Sequence, residues 1–235
     1  QQEDKTFIAS EIFSDESVEL ELAASAEVNG DNRPDIIIAG TRFFRALLNT
    51  EDGFVLSNIA QESFCTRSSP VPYDSCITYE ATHLQVLDID QDGDDDIGFN
   101  SDGFGSSIGW LRQNEDHSFY FHPNDYFKAE LGEQINGANW KDIDGDGDID
   151  VSIVYRDSTP SWIDNEPVLA WYENRSTVSS QPEYVRHGIV VQTDGGEEQL
   201  TRQGYDVISA DFNNDGQTEI VYSYYNSIYI VEPIA

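Results

Sequence analysis

Four nine-residue segments carry the chemistry of this chain: EVNGDNRPD from Glu27, DIDQDGDDD from Asp88, DIDGDGDID from Asp142 and DFNNDGQTE from Asp211. Each has an oxygen-bearing side chain at positions 1, 3, 5 and 9, and three of the four have Gly at position 6. Hard cations such as Ca²⁺ take about six to eight oxygen ligands at roughly 2.4 Å. Alternate acidic side chains in a tight loop converge on one point, and Gly permits the positive φ of a sharp turn. Position 7 is expected to donate its backbone carbonyl and position 9 a carboxylate. Single Asp/Gly turns are common solvated features. Four copies with like charges that repel unless a cation relieves them point to calcium instead. An EF-hand begins the same way but needs Glu at position 12 and flanking helices. Here position 12 is Phe99, Ile153 and Tyr222 in the last three copies, and the flanks are β-rich. That excludes the EF-hand.

The elements that must hold these loops repeat with them. A short apolar stretch precedes each loop (LAASA, LQVL, ANWK, VISA), and each runs into a β-rich stretch from Ile36, Ile97, Val151 or Ile220. Strand, acidic turn, strand is a hairpin signature. A third strand follows from Phe43, Ser107, Val168 and Ser227, and a fourth from Phe54, Phe119 and Glu183. The loops recur every 54 to 69 residues, and the two chain ends together supply about one further period. These spacings predict an all-β chain, residues 1–235 as one domain, arranged as a propeller of four four-stranded blades. TFIASEIF at Thr6 is expected to supply the strand missing from the last blade and so close the ring. Only NDYFKAELGEQ, near Asn124, suggests a short helix.

Composition sets the limits. The formal net charge is −33 over 235 residues, yet 38% of the residues are hydrophobic and 12% aromatic, enough for a folded core. Such acidity argues against nucleic acid and against anionic membrane surfaces, and no apolar run reaches the roughly 18 residues of a membrane span. The chain has no Met and starts Gln1-Gln2, so these residues are expected to follow a removed leader. Cys65 and Cys76, in FCTRSSPVPYDSC, are expected to close a short disulfide loop in an oxidising compartment. Asn174 opens an Asn-Arg-Ser sequon of little weight. A secreted protein is the expectation.

DIDGDGDIDVSIVY and DIDQDGDDDIGFN resemble the FG-GAP/VCBS repeats of integrin α-subunit propellers and of many secreted microbial proteins. The resemblance extends to the later LAWYEN and covers essentially the whole chain. It implies a calcium loop between the first two strands of each blade, on one rim. Carried over, the second site is Asp88, Asp90, Asp92, Asp94 (by its carbonyl) and Asp96, and the third Asp142, Asp144, Asp146, Asp148 (carbonyl) and Asp150. The fourth is Asp211, Asn213, Asp215, Gln217 (carbonyl) and Glu219. The first departs most: Glu27, Asn29, Asp31, Arg33 (carbonyl) and Asp35, with Asn32 where Gly is usual. Up to four Ca²⁺ are implied. Family propellers usually have seven blades, so a ring of four follows from the spacing alone.

No catalytic constellation stands out. His83, His117, His122 and His187 are scattered, and no GxSxG, HExxH or Gly-rich phosphate loop appears. Trp110 and Trp171 occupy similar third-strand places and are expected to pack between blades, with Trp140 near the axis. Trp162, in the insertion RDSTPSWIDNEP beside Asp164, Asn165 and Glu166, is the candidate to stack on a sugar ring. The expected function is a non-enzymatic, calcium-stabilised binding or adhesion module for glycans or an extracellular protein. A self-assembling protomer of an extracellular fibre or coat is the first alternative. A polysaccharide-active enzyme or its accessory domain is the second.

Overall fold

Alternating apolar residues on both sides of each acidic loop fold into antiparallel hairpins, and the third and fourth stretches extend them into meanders. The computed structural model describes residues 9–16, 19–40, 43–60, 80–102, 107–128, 133–157, 169–175, 183–193, 196–199, 204–224 and 226–232. The first sheet is β1 (Leu20–Ala26), β2 (Asp35–Gly40), β3 (Phe43–Thr50) and β4 (Gly53–Ala60), in that order. The second is β5 (Glu80–Leu87), β6 (Asp96–Asp102), β7 (Ser107–Gln113) and β8 (Phe119–Lys128). The third is β9 (Glu133–Lys141), β10 (Asp150–Asp157), β11 (Leu169–Asn174) and β12 (Tyr184–Gly188). A two-stranded hairpin, β13 (Val190–Thr193) and β14 (Gly196–Gln199), precedes the last sheet of β15 (Gly204–Ala210), β16 (Glu219–Tyr224) and β17 (Ser227–Val231). No helix occurs among the described residues, so none is long and apolar enough to cross a membrane.

The four sheets repeat at the level of register. Position 9 of each loop opens the second strand and pairs with the last residue of the first: Ala26 with Asp35, Leu87 with Asp96, Lys141 with Asp150, Ala210 with Glu219. Six residues before each loop, the first strand carries a β-bulge that leaves Glu21, Thr82, Asn136 or Tyr205 out of the ladder. Such bulges bend a strand and re-aim the side chains beside them.

The sheets stack face to face in chain order, with an apolar layer at each junction. Ile37, Phe44 and Ala46 of the first meet Ile97, Phe99 and Leu111 of the second. Ile108 and Trp110 meet Trp140, Val151 and Ile153 of the third. Val154 and Leu169 meet Val207, Ile220 and Tyr222 of the last. The first strands adjoin in series, β1 to β5 to β9 to β15. Trp110 is fully buried, and Trp171 lies at the third junction stacked on His187. Both therefore pack between sheets as the repeat predicts.

Two expectations fail here. Ala9–Phe13, the described part of the proposed N-terminal strand, forms no strand, and the last sheet has three strands among the described residues. Asp15 instead forms an ion pair with Arg45 at 3.2 Å, which ties this segment to the first sheet. Residues 124–128, in the one stretch that suggests a short helix, also depart from that pattern: they continue β8 and pair with β7. Aromatic residues with strand partners outweigh the weak helical pattern there.

Candidate metal centre

Each acidic loop turns on two left-handed residues. At position 6, φ is 61° for Asn32, 101° for Gly93, 99° for Gly147 and 89° for Gly216. At position 4 it is 74° for Gly30, 60° for Gln91, 82° for Gly145 and 62° for Asn214. The sequence pattern marks only the first of these places, because a Gln and an Asn at position 4 hide the shared conformation. Gln91 holds it at a steric cost that Gly avoids.

The side chains then organise the loop backbone. The carboxylate at position 1 accepts the N–H of position 6 in every copy: Asn32 to Glu27 at 2.9 Å, Gly93 to Asp88 at 3.1 Å, Gly147 to Asp142 at 3.2 Å and Gly216 to Asp211 at 3.0 Å. Position 5 accepts the N–H of position 7 through Asp31, Asp92, Asp146 and Asp215 at 2.8–3.0 Å. Position 9 is fully buried as Asp35, Asp96, Asp150 or Glu219. One of its oxygens accepts the N–H of position 2, from Val28, Ile89, Ile143 or Phe212. In the first three sheets the other accepts an N–H of the third strand, from Asn49 at 2.7 Å, Gln113 at 2.9 Å and Asn174 at 2.8 Å. Position 9 is therefore a staple between loop and sheet as well as a candidate ligand. The Asn174 side chain is buried beside it and donates to the Ile149 carbonyl, so the sequon's amide is engaged in the fold.

Three of the four loops bring three carboxylates within reach of one ion: Asp88, Asp90 and Asp96; Asp142, Asp144 and Asp146; Asp211, Asp215 and Glu219. Among the described residues the first loop brings together no such trio. Its Glu27 carboxylate is taken up by the N–H groups of Asn29, Gly30 and Asn32. Burial works against ionisation of Glu27, but those donors outweigh it and hold the group below its ordinary value. Asp92 and Asp150, expected as ligands, stand outside the trios of their own loops.

The second and third loops have the electrostatics of a site that suits a cation. Burial first, then neighbouring carboxylates, pushes Asp90 up to about 6, and burial pushes Asp96 and Asp150 up to about 7 against the backbone donors that favour their ionised forms. Asp144 is raised for the same leading reason. Asp88 Oδ1 and Asp90 Oδ1 are buried without a hydrogen-bond partner. Oxygen-only donors, mutual repulsion and orphaned acceptors fit a hard divalent cation. Bound there, the ion would offset two of the loop's negative charges and cross-link its two strands.

One neighbour has the wrong sign. Arg112, on β7 and nearly buried, places Nη1 3.4 Å from Asp90 Oδ2 and stacks over Trp110 at 4.2 Å. The register makes Leu48 and Glu173 its counterparts in the first and third sheets, each one residue before the third-strand N–H that position 9 accepts. Pairing third strands by register, rather than reading loops alone, would have found it.

The loops also touch one another along one rim. Asp95 accepts the N–H of Glu27 at 3.2 Å, Gln91 donates to Asp148 Oδ1 at 3.1 Å, and Thr218 donates to the Asp142 carbonyl at 2.8 Å. Cys65, Cys76 and Trp162 lie outside the described residues. No protein-family model matches this chain, and no curated protein matches it in sequence.

Proposed function

We propose that the chain is a calcium-stabilised propeller of the FG-GAP/VCBS type, secreted, and acting as a non-enzymatic binding module for glycans or an extracellular protein. The observation that carries the reading is the identical loop: the same two left-handed residues, the same capping carboxylate and the same buried staple recur at one place in four sheets. Four sheets whose first strands adjoin in series suit blades around an axis. Oxygen ligands from Asp88, Asp90 and Asp96, from Asp142, Asp144 and Asp146, and from Asp211, Asp215 and Glu219 would hold the ions. Their contribution is structural, since calcium bound only by the folded state stabilises it by RT ln(1 + [L]/Kd). Calorimetric titration of decalcified protein should show at least three Ca²⁺ bound, with a melting temperature that rises with calcium. A melting curve indifferent to EGTA removes the basis for the reading. A glycan array then tests the binding role.

A self-assembling protomer is the second reading, and a specific surface favours it. The outer face of the last sheet leaves Ile208, Ile228 and Ile230 49%, 77% and 50% exposed. Apolar faces of this kind mark association surfaces. Negative-stain microscopy with and without chelator separates the two readings.

A further inference from the structure

Among the contacts that join neighbouring loops along the rim, the one between the second and third differs in kind. At the first and last junctions, position 8 of a loop reaches back to position 1 of the loop before it. Asp95 accepts the Glu27 N–H at 3.2 Å, and Thr218 donates to the Asp142 carbonyl at 2.8 Å. Position 8 of the third loop is Ile149, an apolar side chain packed against the core, so the same route is closed there. The link runs forward instead. Gln91, at position 4 of the second loop, donates from Nε2 to the Gly147 carbonyl and, at 3.1 Å, to Asp148 Oδ1.

Those acceptors are positions 6 and 7 of the third loop, the arm expected to present the Asp148 carbonyl to an ion. The peptide unit between Gly147 and Asp148 is held from both sides. Asp146 Oδ1 accepts its N–H at 2.9 Å, and Gln91 of the neighbouring loop donates to its C=O. Turning that unit would turn away the next carbonyl, because the backbone has only two soft dihedrals per residue. Gln91 is set in turn by the second loop. It follows Asp90, whose Oδ1 is buried without a hydrogen-bond partner, and it holds φ at 60°. Gly30 and Gly145 stand at this position in the first and third loops and avoid the steric cost, but they have no side chain that could cross to a neighbour.

We propose that Gln91 is a positioning residue that couples calcium binding at the second and third loops, so that an ion in either raises the affinity of the other. The coupling rests on the calcium reading above. An ion held by Asp88, Asp90 and Asp96 orders the second loop and with it the Gln91 backbone. The third loop then has its ligand arm already oriented and loses less conformational entropy on binding its own ion. Linkage makes the effect reciprocal. Two bound cations repel, so Coulomb forces alone would give the opposite sign.

The test follows the Gly93 and Gly147 amide resonances, one in each loop, by heteronuclear NMR while the decalcified full chain is titrated with calcium. Asp144→Asn weakens the third site, and because Asp144 is exposed the variant keeps the fold. It should raise the calcium midpoint read at Gly93 roughly three- to tenfold, the net worth of about one hydrogen bond. In a Gln91→Gly background, which keeps the left-handed turn, adding Asp144→Asn should leave the Gly93 midpoint in place. Gln91→Glu keeps the length of the side chain without the donor and should abolish the shift as well. A Gly93 midpoint that Asp144→Asn alone leaves unchanged or lowers overturns the coupling, and so does a shift that survives both Gln91 variants. Both outcomes leave the calcium reading standing. Resonances that ignore calcium in both loops overturn that reading and the coupling with it.

Discussion

Arg112 and Asp90 form an ion pair at 3.4 Å inside the second acidic loop, with both side chains almost wholly buried. A guanidinium beside a candidate ligand competes for the same negative charge that would hold calcium. The third loop has Glu173 at the equivalent place, and its charge adds to the crowding on Asp144. Two loops with Asp at the same positions 1, 3, 5 and 9 therefore differ in what surrounds them.

Arg112→Gln should tighten calcium binding at the second loop by roughly three- to tenfold, since about 1 kcal/mol of competing charge is removed. Terbium luminescence or calorimetric titration of the variant measures this. The decalcified variant should melt lower than the wild type, because Asp90 then loses the cation that pairs with it. Unchanged or weaker calcium affinity would show that Arg112 acts through packing on Trp110 alone.

Asp96 and Asp150 have folded-state values near 7, against about 3.9 in an unfolded chain. Between those values the decalcified folded state holds more protons than the unfolded one, so its stability falls as pH rises from about 4 to 7. Calcium favours the ionised forms and reverses the sign. Decalcified protein should melt higher at pH 5 than at pH 7.5, and calcium-loaded protein the other way round. General acidic self-repulsion acts in the same direction, so Asp96→Asn with Asp150→Asn should flatten the decalcified profile. A decalcified profile that rises with pH contradicts this account.

Asp35 tests the staple apart from the metal, because its loop brings no carboxylate trio together. Both of its oxygens accept backbone N–H groups, from Val28 and Asn49. Asp35→Asn turns one acceptor into a donor and strands a buried N–H, at a cost of about 1–3 kcal/mol. The loss should be equal with and without calcium in denaturant unfolding. A loss seen only with calcium would make Asp35 a ligand.

On chelator titration calcium should leave the second loop, weakened by Arg112, before the third, while the first loop, with no carboxylate trio, should hold no tightly bound ion. Asp144→Ala should then lower the melting temperature in saturating calcium more than Asn29→Ala does. Should Asn29→Ala be the more damaging, the first loop has a role that carboxylate geometry does not describe.

The sequence alone determined the four acidic loops and the strands that flank them. Period-two alternation and a nine-residue acidic motif are local properties, and the second strands begin within one residue of the places the motif indicates, at Asp35, Asp96, Asp150 and Glu219. Ligand candidates were legible for the same reason, since residue type and spacing set which oxygens lie in one tight turn. Tertiary structure decided the rest. The left-handed turn at Gln91 shows only in the backbone, because no residue type announces it. Arg112 and Glu173 became neighbours of the second and third loops through strand pairing, which no spacing along the chain encodes. His83 and Asp206 are 123 residues apart and meet only because successive sheets stack around Gly137. The described part of the N-terminal segment, despite its strand-like pattern, forms no strand and meets the first sheet through a long-range ion pair, Asp15 with Arg45. Local pattern specifies elements cheaply, but contacts between distant elements depend on packing that is decided only when all of them fold together.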